Sequence, residues 1–136
     1  EKIEPILGKR GEPWTANAPL PGGDFPATGF EAETARLRQA YPFLGARFAR
    51  RLTRLYGTRA HVLLRSARSL ADLGRNFGED LYEAEVRYFA AHEWAMTAED
   101  VLWRRTKRGL RLSLEEAAAL AAFMRGLATG HAAAAQ

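Results

Sequence analysis

The sequence predicts an all-α fold, a compact bundle of five or six helices preceded by a Pro/Gly-rich loop. Three observations carry this. After Phe30 the apolar residues recur at spacings of three and four, as one face of a helix requires. No stretch alternates with period two for more than a few residues, so strands have no support. The chain breakers gather early, with Pro13, Pro19, Pro21 and Pro26 set among Gly8, Gly11, Gly22, Gly23 and Gly29. Proline lacks an amide donor and glycine costs backbone entropy, so residues 8–30 read as a loop or linker. Trp14, Leu20 and Phe25 are its apolar anchors, which predicts a loop that packs onto something.

Taken in order, residues 1–7 read as the end of a helix, with Gly8 its stop. Glu31 to Gln39 is a short polar helix. From Leu44 to Tyr56, Leu44, Phe48, Leu52 and Leu55 share one face while Arg47, Arg51 and Arg54 line another, and Gly57 ends the run. Thr58 to Arg65 gives a further short helix, and Ser69-Leu-Ala-Asp72 has the form of a capping box. The Gly74 to Gly78 stretch is a turn. Asp80 to Trp94 carries the strongest pattern, with Leu81, Ala84, Tyr88 and Ala91 on one side. Thr97 to Asp100 caps a helix reaching about Lys107, and Gly109 stops it. Ser113 to Glu116 caps the last helix, whose face is Ala117, Leu120, Phe123, Met124 and Leu127. The predicted organisation is therefore 1–30 helix end plus linker, 31–130 helical domain and 131–136 tail.

A chain of 136 residues fits one domain and is too short to hold a dinucleotide-binding and a substrate domain together. It contains no cysteine, which excludes disulfides, thiolate metal sites and cysteine nucleophiles and suits a reducing cytoplasmic setting. The longest apolar run, Ala117 to Met124, is far below the roughly 18–20 residues of a spanning helix. The first residue is Glu1 and no secretory signal is visible, so the expectation is a piece of a longer protein.

The net charge of +4 conceals segregation. Nine arginines and no acid lie between Thr34 and Ala71; seven acids accompany only Arg87 from Glu79 to Asp100; five bases lie from Arg104 to Arg111. A stand-alone basic helical module for nucleic acid is one reading, and a basic helix at 44–56 resting on anionic lipid is another. Basic helices packed beside acidic ones, or beside an acidic neighbouring domain, are the preferred reading.

His92-Glu93 fails as a zinc motif because position 96 is Met, and fails as a di-iron motif because position 89 is Phe. There is no phosphate-binding glycine loop and no nucleophile elbow. No catalytic, cofactor-binding or metal residue is therefore nominated. Glu85 borders the apolar positions of its helix and Asp100 precedes Arg104 by four. Together with Glu93 and Arg105 they are expected to knit helices together or to dock the domain.

The same stretch carries a family resemblance. Asp72-Leu73-Gly74, Phe77-Gly78, Leu81-Tyr82-Glu83-Ala84-Glu85, His92-Glu93-Trp94 and the run Glu99 to Lys107 resemble the C-terminal helical domain of the FAD-dependent, aerobic, quinone-linked glycerol-3-phosphate dehydrogenases. Tyr41-Pro42-Phe43-Leu44 and Leu20-Pro21-Gly22-Gly23-Asp24 match too. The resemblance implies a parent flavoprotein that oxidises sn-glycerol 3-phosphate to dihydroxyacetone phosphate and passes electrons to quinone. FAD and substrate would sit in N-terminal domains of the same chain, and no flavin is expected in this piece, which would be inactive alone. The parent would lie peripherally on the cytoplasmic membrane, with a homodimer left open. Mitochondrial relatives add calcium loops; no Asp-x-Asp-x-Asp-Gly pattern exists here, which favours a bacterial type.

Overall fold

The computed structural model describes residues 4–8 and 14–134. Within them the regular structure is helical: α1 (Glu4–Leu7), α2 (Phe30–Ala40), α3 (Ala46–Tyr56), α4 (Ala60–Leu64), α5 (Glu83–His92) and α6 (Leu114–Ala134). Short 3-10 turns join them, and a π-helix spans Asp100–Arg105. One isolated bridge, Asn76 to Tyr82, is the nearest approach to a strand among the described residues.

The elements form where the apolar spacing placed them, with informative differences. In α3 the buried stripe is Phe48, Ala49, Leu52 and Tyr56, whereas Leu55, expected on that face, is 41% exposed. The helix expected from Asp80 to Trp94 is trimmed at both ends. Glu79, Asp80 and Trp94 hold left-handed backbone, which breaks helical hydrogen bonding on either side of α5. The segment after Thr97 winds wider than an α-helix: the Thr106 amide reaches the Val101 carbonyl at 3.1 Å, five residues back. The last helix does not stop at Gly130 but runs to Ala134, because one glycine among alanines costs only about 1 kcal/mol. The expected tail at 131–136 is thus helical as far as Ala134, and residues 135–136 lie outside the described set.

α3 and α5 run side by side in the same sense. Arg47 near the start of α3 meets Asp80 just before α5, while Tyr56 at the end of α3 packs on Tyr88 and Phe89 near the end of α5. The bundle therefore has two distinguishable ends. At the first, Gly78 lies against Glu116 at the start of α6. At the second, the loop at 20–25 closes over the α3 terminus. Leu52, Leu64, Leu81, Val86, Phe89, Val101 and Leu120 form the centre between these ends.

That loop is not held by its large side chains. Trp14 and Leu20 are 73% and 81% exposed and are not buried against the bundle, and Phe25 alone of the three is half-buried. Backbone holds it: the Thr58 amide donates to the Gly22 carbonyl at 3.1 Å, and a Cβ on Gly57 would lie 1.8 Å from that same oxygen. Both glycines have positive φ, so two features that only glycine allows meet at one contact. Thr58 also donates its hydroxyl to Asp24.

Candidate functional site

Glu85 is 1% exposed, and its placement explains the fold's polar centre. Arg51 donates to Glu85 Oε1 and Oε2 at 2.6 and 2.8 Å, a bidentate pair, and gives a further bond to the Asp80 carbonyl at 2.7 Å. The Tyr56 hydroxyl donates to Oε1 at 2.6 Å. Burial pushes the Tyr56 hydroxyl well above its ordinary pKa and the adjacent carboxylate adds to this, so it remains a donor. Arg51 stays charged, its pKa raised by Glu85 despite the opposing effect of burial. Its Nε is buried without a partner. The assembly therefore clamps α3 to α5 and offers no open coordination to a substrate.

Glu93 and Arg105 meet at the second end of the bundle. Arg105 Nη2 donates to the Glu93 carbonyl at 2.6 Å, and its Nε lies 3.6 Å from Oε2. Partial burial raises the Glu93 carboxyl, with Arg105 and Arg59 pulling the other way. A cleft of about 430 Å³ opens beside it, walled by Pro21, Gly22, Phe25, Arg54, Arg59, Tyr88 and His92 among others. Arg59 donates through Nε to the Tyr88 hydroxyl and stacks over that ring, with 5.5 Å between guanidinium carbon and centroid.

Asp100 and Arg104 do a third, local job. Asp100 Oδ2 accepts from the Met96 and Thr97 amides at 3.0 and 2.9 Å, and the Asp100 amide returns a bond to Thr97 Oγ1 at 3.2 Å, a reciprocal capping box. Those amide donors hold the Asp100 carboxyl below its ordinary range. Arg104 reaches Asp100 Oδ1 at 2.7 Å from an otherwise exposed position. The five expected residues are thus spread over three places and do not converge on one site. Arg51, Tyr56, Arg59 and Tyr88 were missed; Arg51 sits three residues after Phe48 and four before Leu55, which flags it as bordering the apolar stripe.

The charge blocks resolve across helices. Arg47 and Arg51 from the acid-free stretch and Arg105, Arg108 and Arg111 from the later basic run all reach acids between Glu79 and Glu93, while Arg50 reaches Glu31. Of the nine arginines that suggested nucleic acid, Arg36, Arg47, Arg50 and Arg51 pair with carboxylates of this chain, and the nucleic-acid reading has no support.

The described residues contain no strand from which a glycine-rich phosphate turn could lead into a helix. The Asp100 amide that opens the π-helix donates to Thr97 Oγ1, and the Glu116 amide in the first turn of α6 donates to Ser113 Oγ. No three of the described His, Asp or Glu residues cluster to hold a metal. No described helix is long and apolar enough to cross a membrane.

Residues 13–131 match the family described as the C-terminal domain of alpha-glycerophosphate oxidase. The chain belongs to that family. Among full-length relatives, D-erythritol 1-phosphate dehydrogenase of Brucella abortus is 44% identical over 87% of this chain. Aerobic glycerol-3-phosphate dehydrogenase of Escherichia coli is 42% identical over 85%, and glycerol-3-phosphate dehydrogenase of Pseudomonas aeruginosa 46% over 82%. The matched part is only 22% to 24% of each of these relatives. The chain therefore corresponds to the C-terminal part of dehydrogenases several times its length.

Proposed function

We propose that this chain is the non-catalytic C-terminal accessory domain of a FAD-dependent dehydrogenase that oxidises sn-glycerol 3-phosphate to dihydroxyacetone phosphate and reduces quinone. The observation that carries this is the family match across 13–131, set against a span of less than a quarter of the dehydrogenases it resembles. FAD and substrate belong to the N-terminal domains of the parent, which is peripheral on the cytoplasmic membrane. Glu85, Asp100, Arg104, Glu93 and Arg105 act structurally, by clamping helices and capping a helix start.

The relatives named for D-erythritol 1-phosphate and for glycerol 3-phosphate are similarly distant from this chain, at 44%, 42% and 46% identity. The domain therefore follows the enzyme family rather than the polyol. Purified chain and full-length parent should be compared for flavin absorbance and dye-linked oxidation of both polyol phosphates. The expected result is flavin and turnover in the parent alone; bound flavin or turnover in the isolated chain would refute an accessory role.

A further inference from the structure

The second end of the bundle combines features that the helical core leaves unused. Trp94 is 86% exposed with its backbone in the left-handed region, and Met96 two residues on is 70% exposed. Trp94 follows directly on Glu93, which lines the 430 Å³ cleft, and Leu20, 81% exposed, directly precedes Pro21, which lines it too. Left-handed backbone is uncommon for a bulky residue, so the turn that presents this indole needs support from its neighbours. The Ala95 amide supplies it by bonding the Phe89 carbonyl at 3.2 Å, as does Arg105 on the Glu93 carbonyl. Within the cleft, Arg54 and His92 are exposed, and no carboxylate among the described residues lies within ion-pair distance of Arg54, Arg59 or His92. A face of exposed Trp, Met and Leu around Arg54, Arg59 and His92, none of them in an ion pair and Arg59 bonded to the Tyr88 hydroxyl, has the make-up of an interface core with a charged rim.

We propose that this face, Leu20, Arg54, Arg59, His92, Trp94 and Met96, is where the catalytic part of the same polypeptide docks. This rests on the accessory-domain reading above. Two facts choose the occupant. The relatives carry more than three quarters of their length outside the matched region, and that region is their C-terminal domain, so the remainder joins upstream of residue 13. From Trp14 the chain runs into the loop riveted to the α3 terminus, which is this end of the bundle and not the end where Leu114 lies. The complementary surface should present carboxylates opposite Arg54 and Arg59 and an apolar recess for Trp94.

Hydroxyl-radical labelling of the full-length parent, read residue by residue, tests this. Leu114, 92% exposed at the opposite end, is the free reference and Met124, 3% exposed, the buried one. Docking should lower Trp94 and Met96 labelling relative to Leu114 by about tenfold or more, to the level of a desolvated interface core. Labelling of Trp94 at the rate its exposure in this domain implies would overturn the proposal. So would protection that disappears on dilution, which assigns the face to a second copy, or protection that arises only with anionic phospholipid vesicles, which assigns it to lipid. A parent that binds no flavin and oxidises no polyol phosphate removes the accessory-domain reading instead. A flavin-loaded, active parent with Trp94 exposed removes the docking face alone.

Discussion

Arg51→Met removes the cation that satisfies Glu85 while leaving the carboxylate in place. In the native clamp Glu85 receives bonds at 2.6 and 2.8 Å from Arg51 and one at 2.6 Å from Tyr56, at 1% exposure. The variant strands a buried carboxylate with the Tyr56 hydroxyl alone and also frees the Asp80 carbonyl. Breaking a buried pair from one side costs about 3–5 kcal/mol, a large share of the roughly 5–15 kcal/mol that holds a domain together. With a urea slope of about 2 kcal/mol per molar, the unfolding midpoint should fall by about 2 M. The triple variant Arg51→Met, Tyr56→Phe, Glu85→Leu removes both charges and the hydroxyl together. It should recover most of the loss, helped by eliminating the unpartnered Arg51 Nε. Urea denaturation of the wild type, Arg51→Met, Glu85→Leu and their combination gives the coupling directly as a cycle, and the triple variant, measured beside them, gives the recovery. A cost below about 1 kcal/mol for Arg51→Met, or a cycle with no coupling, would refute the clamp as the polar centre of the fold.

Two further outcomes follow from the loop contact and the cap. Gly57→Ala places a Cβ 1.8 Å from the Gly22 carbonyl at a residue whose φ is +53°, so the loop must lift; the backbone term alone is about 1–2 kcal/mol. Cleavage between residues 20 and 25 by a broad-specificity protease should accelerate, and unchanged cleavage would refute the backbone anchor. Asp100 has its folded pKa depressed by the Thr97 and Met96 amides, so its contribution is whole above the unfolded value of about 3.9 and is lost as pH falls through the folded one. Asp100→Asn should therefore flatten the acid side of the stability profile measured by thermal unfolding, and an unaltered acid slope would count against the cap.

What could be read from the sequence was what is encoded locally. The boxes at Thr97–Asp100 and Ser113–Glu116 depend on residues three apart, and both form reciprocal bonds. The α3 position followed from apolar spacing for the same reason, and α2 falls on the short polar helix expected at 31–39. The clamp was not legible because Arg51 and Tyr56 reach Glu85 across 34 and 29 residues, and nothing in a helical pattern pairs positions on different helices. Glu85 showed as a carboxylate beside apolar residues, yet its partner was assigned to a polar face. The wide turn of Asp100–Arg105 also escaped notice, since α and π periods diverge little over six residues. How the loop is held was not legible either: Trp14 and Leu20 are exposed in this chain, and the contact that fixes the loop to the bundle is backbone at Gly22 and Gly57, which no apolar pattern marks.

The Gly22–Gly57 contact also decides how mechanical load passes through the molecule. With the loop tied to α3 by backbone at a junction with no side chain to rotate aside, tension reaching Gly22 is delivered to the α3 terminus. From there Tyr56 and Arg51 carry it to α5 through Glu85. A tug from the larger part of the polypeptide would thus be shared between two helices at once, and the domain would follow as a rigid load instead of unravelling from its first residues.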